Sequence, residues 1–291
     1  MRLSVVIPCF NAAATIEAQL EALLAQNCPE LDEIIVSDNG SSDDSVQRVR
    51  RYSSRFPEVR VIEAIGGTGP GYARNEGAKH ARGDALAFCD ADDEVGPGWA
   101  GAMASALDSW DFVAGRLDHD RLNEPWVIAV RGRPQSSGLM HYAEGPWWPY
   151  AFGGTMGVRK SVHLASGGFD EGLFATAAED CDYCWRLQLG GHELHFVPEA
   201  VTYYRHRADL GSIYRQARDY GRAQVALYGM YLDRGLPRVR RPWWKLLRLN
   251  LALVKTVLTA RTRPTRAVAV WSIGQRVGRL RGSIENRILF P

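Results

Sequence analysis

Short apolar segments typical of β-strands alternate with helix-like segments through about the first 90 residues of this chain. The strand-like segments are residues 3–7, 33–37, 59–64 and 85–89, and the helix-like segments between them are residues 12–26, 43–54 and 72–81. Alternation of this kind predicts an α/β fold with a mostly parallel central sheet and helices on both faces. Such sheets bind ligands beyond the carboxyl ends of their strands, so the residues after each strand are the first candidates for a functional site.

The charge of the chain changes sign near residue 210. Residues 1–210 hold 18 Lys and Arg against 30 Asp and Glu, a net charge of −12, whereas residues 211–291 hold 17 against 3, a net charge of +14. With 291 residues and 46% hydrophobic content, the chain can form one large domain with an appendage. We therefore expect an acidic domain over residues 1–210 and a basic extension over residues 211–291.

The cysteines and the apolar segments indicate a cellular compartment. Five cysteines, an odd number, are scattered through apolar segments, which favours reduced thiols in the cytoplasm over a disulfide framework. Met1 and Arg2 lead directly into the first strand without a secretion signal, and no uninterrupted apolar span reaches 18 residues. We expect a cytoplasmic protein that does not cross a bilayer.

An acidic motif, FCDADD at residues 88–93, ends the alternating series. Unpaired carboxylates are costly to bury, so such a cluster is normally solvated, hydrogen-bonded or neutralised by a hard divalent cation that prefers oxygen ligands. The spacing of Asp90 and Asp92 lets both acids reach one ion whose other positions stay open for a phosphate. An acidic solvated turn is the alternative.

Six segments together resemble family 2 glycosyltransferases, which have the Rossmann-like GT-A fold. Residues 4–11 (SVVIPCFN), 33–43 (EIIVSDNGSSD), 73–77 (ARNEG) and 88–93 resemble the donor half, and residues 167–171 (GGFDE) and 178–187 (AEDCDYCWRL) resemble the acceptor-side segment. The resemblance covers about residues 3–207. It implies a GT-A domain over residues 1–210, with the donor half at 1–117 and the acceptor half at 118–210.

The resemblance also implies roles for the donor-side residues. Asp38 would hydrogen-bond the nucleobase, because uracil, thymine and guanine each offer a ring N–H to a carboxylate; an Asx turn is the alternative. Arg74 would bind two oxygens of the diphosphate, with a structural role as the alternative. The residues that the resemblance places at the nucleotide sugar are Pro8, Asn11, Asp38, Arg74, Asp90 and Ala91.

A divalent ion, Mn²⁺ or Mg²⁺, would be held by Asp90 and Asp92. His206 falls near the position where some family members place a histidine beside the metal or the diphosphate, and a solvated histidine at a strand end is the alternative. Asp43 and Asp93 are expected to cap the helices that follow them.

Asp180 resembles the family's general base, with Glu179 as the fallback. Glycosyl transfer needs a group that removes the proton of the acceptor hydroxyl, opposite the departing diphosphate, and this in-line attack inverts the anomeric configuration. The alternative for Asp180 is a structural role, because a carboxylate also stabilises the start of the predicted helix over residues 180–189.

Two other motifs favour different proteins but match them poorly. The cysteines and histidines at 181, 184, 192 and 195 imitate a zinc site, yet their spacing is too short, so we expect both cysteines to be apolar core residues. The glycine-rich loop at residues 66–71 imitates a dinucleotide-binding fingerprint, but it follows the third strand of the series and not the first. A nicotinamide enzyme remains a remote alternative.

The basic extension contains an amphipathic helix within residues 242–259. Its basic residues are Arg241, Lys245, Arg248 and Lys255, its apolar side carries Leu246, Leu249, Leu253 and Val257, and Trp243 and Trp244 stand at its start. With a second basic segment that contains Trp271 and runs to Arg287, it predicts an anchor on an anionic membrane. The alternative is helices that pack on the catalytic domain or on another subunit.

Residues 146–152 (PWWPYAF) are dense in aromatic rings, which offer faces to a sugar or a lipid carrier or else form core under a loop. The sequence as a whole predicts an inverting glycosyltransferase that binds a nucleoside-diphosphate sugar and a lipid-linked or cell-envelope glycan, peripheral at the inner face of the plasma membrane. No recognised nucleic-acid module is present. The alternative from another class is a non-catalytic GT-A-fold binding or scaffold module at the membrane.

Overall fold

The computed structural model of the protein describes residues 1–142, 147–172, 177–238, 243–288 and 290, with the side chains of residues 243 and 245–247 left aside. The chain forms two compact units. The first unit comprises residues 1–121, 135–140 and 148–205, and the second comprises residues 122–134, 141–147 and 206–291. Some residues of the predicted aromatic segment and amphipathic helix lie outside the described part. They are Pro146, Arg241 and Pro242, and the side chains of Trp243, Lys245 and Leu246.

One eight-stranded sheet forms the centre of the first unit in the described part of the chain. Its strands are β1 (Leu3–Cys9), β2 (Leu31–Asp38), β3 (Val59–Glu63), β4 (Ala85–Phe88), β5 (Glu94–Val95), β6 (Phe112–Asp118), β7 (Met156–Arg159) and β8 (Leu194–Tyr203). Their order is β3-β2-β1-β4-β7-β6-β8-β5. Strands β1 to β4 pair in parallel, β7 runs antiparallel to both β4 and β6, and β6 and β8 are parallel. The predicted α/β fold is confirmed.

The helices follow the strands in the predicted alternation. They are α1 (Ile16–Leu24), α2 (Ser45–Ser53), α3 (Pro70–His80), α4 (Trp99–Ser109), α5 (Pro125–Arg131), α6 (Lys160–Ala165), α7 (Glu179–Leu189), α8 (Leu210–Leu232), α9 (Trp243–Leu258) and α10 (Arg263–Asn286). Helix α1 begins four residues later than predicted, because the carbonyl of Ala12 accepts the N–H groups of Thr15 and Ile16 in a turn that precedes it. A short 3₁₀ turn at Gly153–Thr155 leads into β7.

The core lies on both faces of the central strands. Val5 and Ile34 on adjacent strands are fully buried, and so are their neighbours Val6 and Ile35 on the opposite face. Covering by helices on both faces explains the nearly continuous apolar runs of β1, β2 and β4. Helix α3 approaches β1 closely because Gly77 has no Cβ, which would otherwise collide with the side chain of Val6.

Asn75 joins two of the motifs that the sequence singled out. This buried residue of α3 donates to the carbonyl of Phe169 at 2.9 Å and to Glu171 at 2.7 Å, and its Oδ1 accepts the N–H of Phe169 at 2.8 Å. Gly168, with φ of +72°, makes the turn that brings Phe169 there, and a Cβ on it would collide with Asn75. Residues 73–77 and 167–171 therefore pack against each other.

His163 is buried in an aromatic cluster of the first unit. Its Nδ1 lies 2.8 Å from the Tyr183 hydroxyl, and the rings of Phe88 and Phe169 lie 5.7 and 6.0 Å from its own. Burial, and then the charge of Arg186, lower the pKa of His163 from 6.5 to about 4. The folded protein therefore favours the neutral imidazole.

Lowering the pH from 6.5 to 4 should reduce the free energy of unfolding by up to about 3 kcal/mol because of the lowered pKa of His163 alone. The sign follows because the unfolded chain binds the proton near pH 6.5, whereas the folded chain binds it only near pH 4. Urea unfolding of His163→Gln should show a flatter pH dependence over this range, and the matched exposed variant His80→Gln should keep the wild-type slope. Equal slopes in all three proteins would contradict the prediction.

In the second unit, α8 and α10 pack at very short range. Gly274, Gly278 and Gly282 of α10 face backbone atoms of α8, and a Cβ on Gly278 would collide with the carbonyl of Arg218. Trp271 of α10 lies 6.1 Å from the ring of Tyr220 and 4.9 Å from the guanidinium of Arg131 on α5. The Trp271-containing half of the predicted anchor therefore packs on helices of its own unit.

Helix α9 packs on α10 and is otherwise exposed along most of its described length. Among the described residues, no helix combines the length and apolar character needed to span a bilayer. In the aromatic segment, Trp147 is buried and stacks 5.8 Å from Tyr228 in the second unit, and Phe152 stacks 5.5 Å from Tyr204 in the first. Both rings therefore contribute to packing.

Candidate active site

Asn11 connects the loops that follow β1 and β2. Its backbone is left-handed, with φ of +51°, a conformation that asparagine tolerates better than most residues. Its Oδ1 accepts the N–H groups of Ser42 at 2.8 Å and Asp43 at 3.3 Å, and its own N–H donates to Ser41 Oγ at 2.9 Å. Asn11 thereby fixes the position of the loop that follows Asp38. Pro8, in register with Ser37, precedes it on β1.

Asp38 ends β2 and is almost fully buried. Its Oδ2 accepts the N–H groups of Gly40 and Ser41, each at 3.2 Å, so the Asx turn expected as the alternative does form. Asp38 also lines a cavity of about 380 Å³ together with Ser41, Arg50, Glu63 and Ile65. The turn leaves it beside a space of the size that small ligands occupy, and nucleobase binding stays a prediction.

Asn39 was given no role by the sequence, yet it fixes the glycine-rich loop. Its Nδ2 donates to the carbonyls of Ala64 and Gly67, the latter at 3.0 Å, and its Oδ1 accepts the N–H of Gly69 at 2.9 Å. Gly69, with φ of +95°, directly precedes α3. The side chain of Asn39 thus sets where α3 starts, and with it the position of Arg74.

Three carboxylates meet after β4. Oxygens of Asp90, Asp92 and Asp93 all lie within 4.8 Å of one another. Burial, together with the charges of Asp92 and Asp90, raises the pKa of Asp93 well above its ordinary value. Each carboxylate therefore makes it costlier to charge its neighbours, and hard oxygen ligands of this type suit a divalent cation.

The backbone around the cluster is held from two sides. Gln19 of α1 donates to the carbonyl of Asp90 at 3.0 Å. Arg205, after β8, donates its side-chain Nε to the carbonyl of Asp92 at 2.8 Å and its N–H to Asp93 Oδ1 at 2.7 Å. Ala91, between Asp90 and Asp92, is buried. The acids are therefore held in place before any ligand binds.

Neither Asp43 nor Asp93 is the N-cap residue of the helix that follows it. The N-cap residue of α2 is Asp44, and Asp43, one position earlier, accepts the N–H of Ser45 at 3.0 Å. Asp93 does not cap the next helix, because α4 begins at Trp99 after Gly98 in a left-handed conformation. Its carboxylate instead faces the cluster and Arg205.

Arg74 connects the donor-side motifs to α7. Its side chain is 3% exposed, and its guanidinium pairs with Asp90 Oδ1 at 2.6 Å and with Glu179 Oε1 at 3.4 Å. Burial opposes its charge, but the two carboxylates outweigh burial and the pKa of Arg74 is raised. The guanidinium expected at a diphosphate thus has two protein partners, one in the acidic cluster and one beside Asp180.

Helix α7 begins one residue earlier than predicted, at Glu179, after Ala178 with φ of +67°. Burial, and then the charge of Asp180, raise the pKa of Glu179 to about 7. Burial also raises the pKa of Asp180, whose Oδ1 accepts the N–H of Cys181 at 2.8 Å. A carboxylate with a raised pKa is a stronger base, so this helix start can accept a proton from a bound hydroxyl.

Gly153 and Gly154 of the 3₁₀ turn lie directly against these charged residues, which the sequence did not indicate. A Cβ on Gly153 would lie 2.8 Å from Arg74 Nη1, and a Cβ on Gly154 would lie 2.6 Å from Asp90 Cγ. The buried Gln135 holds the turn, because its Nε2 donates to Thr155 Oγ1 at 2.7 Å and its Oε1 accepts the N–H of Phe152 at 2.8 Å. Glycine is required here for Arg74 and Asp90 to keep their positions.

Gly154→Ala should weaken Mn²⁺-dependent binding of a nucleoside diphosphate by about ten-fold, because the new methyl group displaces Asp90. The φ of Gly154, −79°, suits alanine, so the backbone itself is not strained. Calorimetric titration measures the effect, and Gly138→Ala is the matched control because a Cβ there meets nothing within 4 Å. Wild-type affinity in Gly154→Ala would refute the crowding argument.

His206 and the zinc-like motif are the remaining candidates. His206 is buried, so the alternative of a solvated histidine is wrong, and its N–H donates to Asn123 Oδ1 at 2.8 Å. Its role as a metal ligand stays a prediction. In the zinc-like motif, Cys181 and Cys184 are buried on α7, whereas His192 bonds Asp111 at 3.0 Å and His195 stacks 4.7 Å from Trp110. The four side chains have separate surroundings.

Curated relatives resemble parts of this chain. An uncharacterised glycosyltransferase of Escherichia coli, YibD, is 34% identical over 152 residues, which are 50% of this chain and 42% of that protein. A poly(ribitol-phosphate) beta-glucosyltransferase of Bacillus spizizenii is 38% identical over 98 residues, 33% of this chain and 16% of that protein. The matched region spans less than half the length of either relative.

A solved structure shares the fold of the whole chain. The mannosyltransferase PcManGT of Pyrobaculum calidifontis, in complex with GDP-Man and Mn²⁺, superposes with a TM-score of 0.64 at 18% identity, over 96% of this chain and 87% of that one. This similarity confirms the GT-A fold with a helical C-terminal part. The family model described as glycosyl transferase family 2 matches residues 4–165, more than half of the sequence, and a related model, glycosyl transferase family group 2, matches residues 135–273. The chain belongs to glycosyl transferase family 2.

Proposed function

We propose that this protein is an inverting glycosyltransferase that moves a sugar from a nucleoside-diphosphate sugar to a hydroxyl of a lipid-linked or cell-envelope glycan. The observation that carries the proposal is the contact chain Asp90–Arg74–Glu179, which joins the acidic cluster to the start of α7. At one end of these contacts, Asp90 belongs to an acidic cluster that suits a cation and a diphosphate. At the other end, Glu179 is followed directly by Asp180, a carboxylate that can act as a base.

The acidic cluster fits a divalent metal. Three carboxylates within 4.8 Å offer only oxygen. Burial and repulsion from Asp92 and Asp90 raise the pKa of Asp93, and a bound cation would offset this repulsion. Asp90 and Asp92 would hold the ion, with His206 as a proposed further ligand. When bound, Mn²⁺ or Mg²⁺ would stabilise the negative charge of the departing diphosphate.

The remaining donor-side residues bind and orient the nucleotide. Asp38, beside its cavity, would accept the ring N–H of a nucleobase, and Pro8, Asn11 and Ala91 shape the loops around it. Arg74 carries a raised pKa and stays charged, so it adds positive charge next to Asp90. It acts by fixing Asp90 and Glu179 in place as well as through its charge on the diphosphate.

The acceptor hydroxyl would lose its proton to the Asp180 carboxylate. Its oxygen then bonds the anomeric carbon while the bond from that carbon to the diphosphate oxygen breaks, and both bonding electrons leave with the diphosphate. Attack opposite the leaving group inverts the anomeric configuration without a covalent sugar intermediate.

Asp180 suits the base role better than Glu179. The Glu179 carboxylate is already engaged in an ion pair with Arg74, although burial and the charge of Asp180 raise its pKa to about 7. Asp180 uses Oδ1 to accept the N–H of the adjacent Cys181, and burial makes its carboxylate more basic. Glu179 remains the fallback.

Two of the similar proteins support the proposed classes of donor and acceptor. The mannosyltransferase with the same fold binds GDP-Man and Mn²⁺, and the Bacillus spizizenii relative is named for transfer of glucose to poly(ribitol-phosphate). The first supports a nucleotide sugar as donor, and the second supports a cell-envelope polymer as acceptor. The positive charge of residues 211–291 supports work at the inner, cytoplasmic face of the plasma membrane, where anionic lipids attract basic segments.

A donor and acceptor screen tests this function. The full-length enzyme, Mn²⁺ and lipid-linked or teichoic-type acceptors are incubated with UDP-, GDP- and dTDP-sugars, and the released nucleotide and the product linkage are measured. We expect one donor to be consumed only with metal, and nuclear magnetic resonance to find the new linkage with the anomeric configuration opposite to that of the donor. Retained configuration would refute the inverting mechanism, and no turnover with any donor would favour a binding or scaffold protein.

A further inference from the structure

Helix α9 exposes an apolar stripe to solvent. Leu251, Val254 and Leu258 are 60%, 53% and 74% exposed, and their spacing places them on one face of the helix. Trp244, seven residues before Leu251, falls on the same face and is partly exposed. Leu249 and Val257, toward the opposite side of the helix, are also exposed, but less so, at 40% and 43%. Large apolar side chains grouped in this way mark an interaction surface.

Basic residues lie along one edge of this stripe. Arg248 and Lys255 are exposed and seven residues apart, so they form a row beside the row of Leu251 and Leu258. The sequence of α9 contains no aspartate or glutamate, and the exposed Arg261 and Arg266 follow it. The charge next to the apolar stripe is therefore positive throughout.

The face predicted from the sequence differs from this exposed one. The sequence grouped Leu249, Leu253 and Val257 as the apolar side, and in the structure Leu253 is half-buried while α9 packs on α10. The stripe of Leu251, Val254 and Leu258 is a second apolar face. Because it is the most exposed part of the helix, it is the part that a partner would cover.

The length of α9 determines how it could meet a bilayer. Its 16 residues extend over about 24 Å at about 1.5 Å per residue, short of the roughly 30 Å of a hydrocarbon core. Together with the basic row, this length favours a helix that lies in the plane of the membrane surface, with arginine and lysine reaching the lipid phosphates.

We propose that α9 is the membrane-docking element of the protein and that it lies in the surface of an anionic bilayer with Leu251, Val254 and Leu258 among the acyl chains. The proposed function enters only as the purpose of this docking, which is to bring the enzyme to a lipid-linked acceptor. Docking itself needs neither donor nor catalysis. Charge complementarity selects anionic lipid as the occupant over a second copy of this basic helix.

Sedimentation of the full-length protein with vesicles tests the docking. Wild-type protein should bind phosphatidylcholine vesicles that contain phosphatidylglycerol, and added salt should weaken this binding. The combined variant Leu251→Gln, Val254→Gln, Leu258→Gln should lose at least about 100-fold in affinity. The combined variant Arg248→Gln, Lys255→Gln should lose about 30-fold on the anionic vesicles, because each basic residue near the surface adds about five-fold.

A matched control comes from α10 of the same unit. Leu280 and Ile284 are 65% and 70% exposed, so the combined variant Leu280→Gln, Ile284→Gln removes a similar apolar area elsewhere. This control should bind vesicles like the wild type. The docking proposal fails if the wild-type protein does not bind anionic vesicles or if the α9 apolar variant binds them normally. It fails likewise if the α10 control loses as much vesicle affinity as the α9 apolar variant. It also fails if light scattering finds a dimer that the α9 variant dissociates.

Thermal stabilisation by nucleoside diphosphates with Mn²⁺, measured on the same proteins, separates this proposal from the proposed function. The α9 variants should be stabilised as much as the wild type, with unchanged melting temperature in the absence of nucleotide. Normal docking without nucleotide stabilisation would reject the glycosyltransferase function alone. Normal nucleotide stabilisation without docking would reject the role of α9 alone.

Discussion

Asp180→Asn is expected to lower kcat by about 10²- to 10⁴-fold while leaving the affinity for the nucleoside diphosphate unchanged. The asparagine keeps the size of the side chain and an oxygen that can accept the N–H of Cys181, so the start of α7 should retain its structure. It removes only the ability to take a proton from the acceptor. Steady-state kinetics with saturating donor and acceptor, together with calorimetric titration of the nucleotide, measure both quantities.

Glu179→Gln is the matched control for the base. This substitution removes the carboxylate that faces Arg74 but leaves Asp180 in place, so we expect a smaller loss in kcat, about ten-fold. If Asp180→Asn turns over normally and Glu179→Gln does not, the base is Glu179 and not Asp180.

Asp92→Ala should abolish the metal-dependent part of nucleotide binding, with a loss in affinity of at least about 100-fold in the presence of Mn²⁺. The side chain belongs to the cluster whose oxygens lie within 4.8 Å of one another, and removing it leaves fewer oxygen ligands for the ion. Calorimetric titration of the nucleoside diphosphate with and without Mn²⁺ measures the difference.

Asp108→Ala, an exposed carboxylate on α4, controls for the change in net charge. It should bind the nucleotide like the wild type. The metal assignment is contradicted if Asp92→Ala keeps the wild-type enhancement by Mn²⁺, or if Asp108→Ala loses as much.

The strands could be predicted because their environment imposes a simple pattern. Parallel strands covered on both faces require nearly continuous apolar residues, and residues 3–7, 33–37 and 85–89 show this directly. Strands β1, β2 and β4 coincide with these segments except at their ends. Helix boundaries were less accurate, since the start of α1 depends on a turn at Ala12 that periodicity does not reveal.

Site residues could be predicted where the residues that act together are also close together in the sequence. The acids at 90, 92 and 93 lie in one short segment, so their proximity needed no knowledge of the fold. Arg74 was assigned to the diphosphate from motif position, and its contacts with Asp90 and Glu179 depend on residues 16 and 105 positions away. Gly154 was missed because its importance lies in a contact with Asp90 that only the folded chain creates.

Divalent-dependent binding of a nucleoside diphosphate is the central claim, and titration calorimetry of the wild-type protein tests it most directly. UDP, GDP and dTDP are each titrated with and without Mn²⁺. We predict that at least one of them binds, and that its affinity falls when Mn²⁺ is replaced by a chelator. If none of the three nucleotides binds in the presence of Mn²⁺, the acidic cluster after β4 is not a donor site and the account is contradicted.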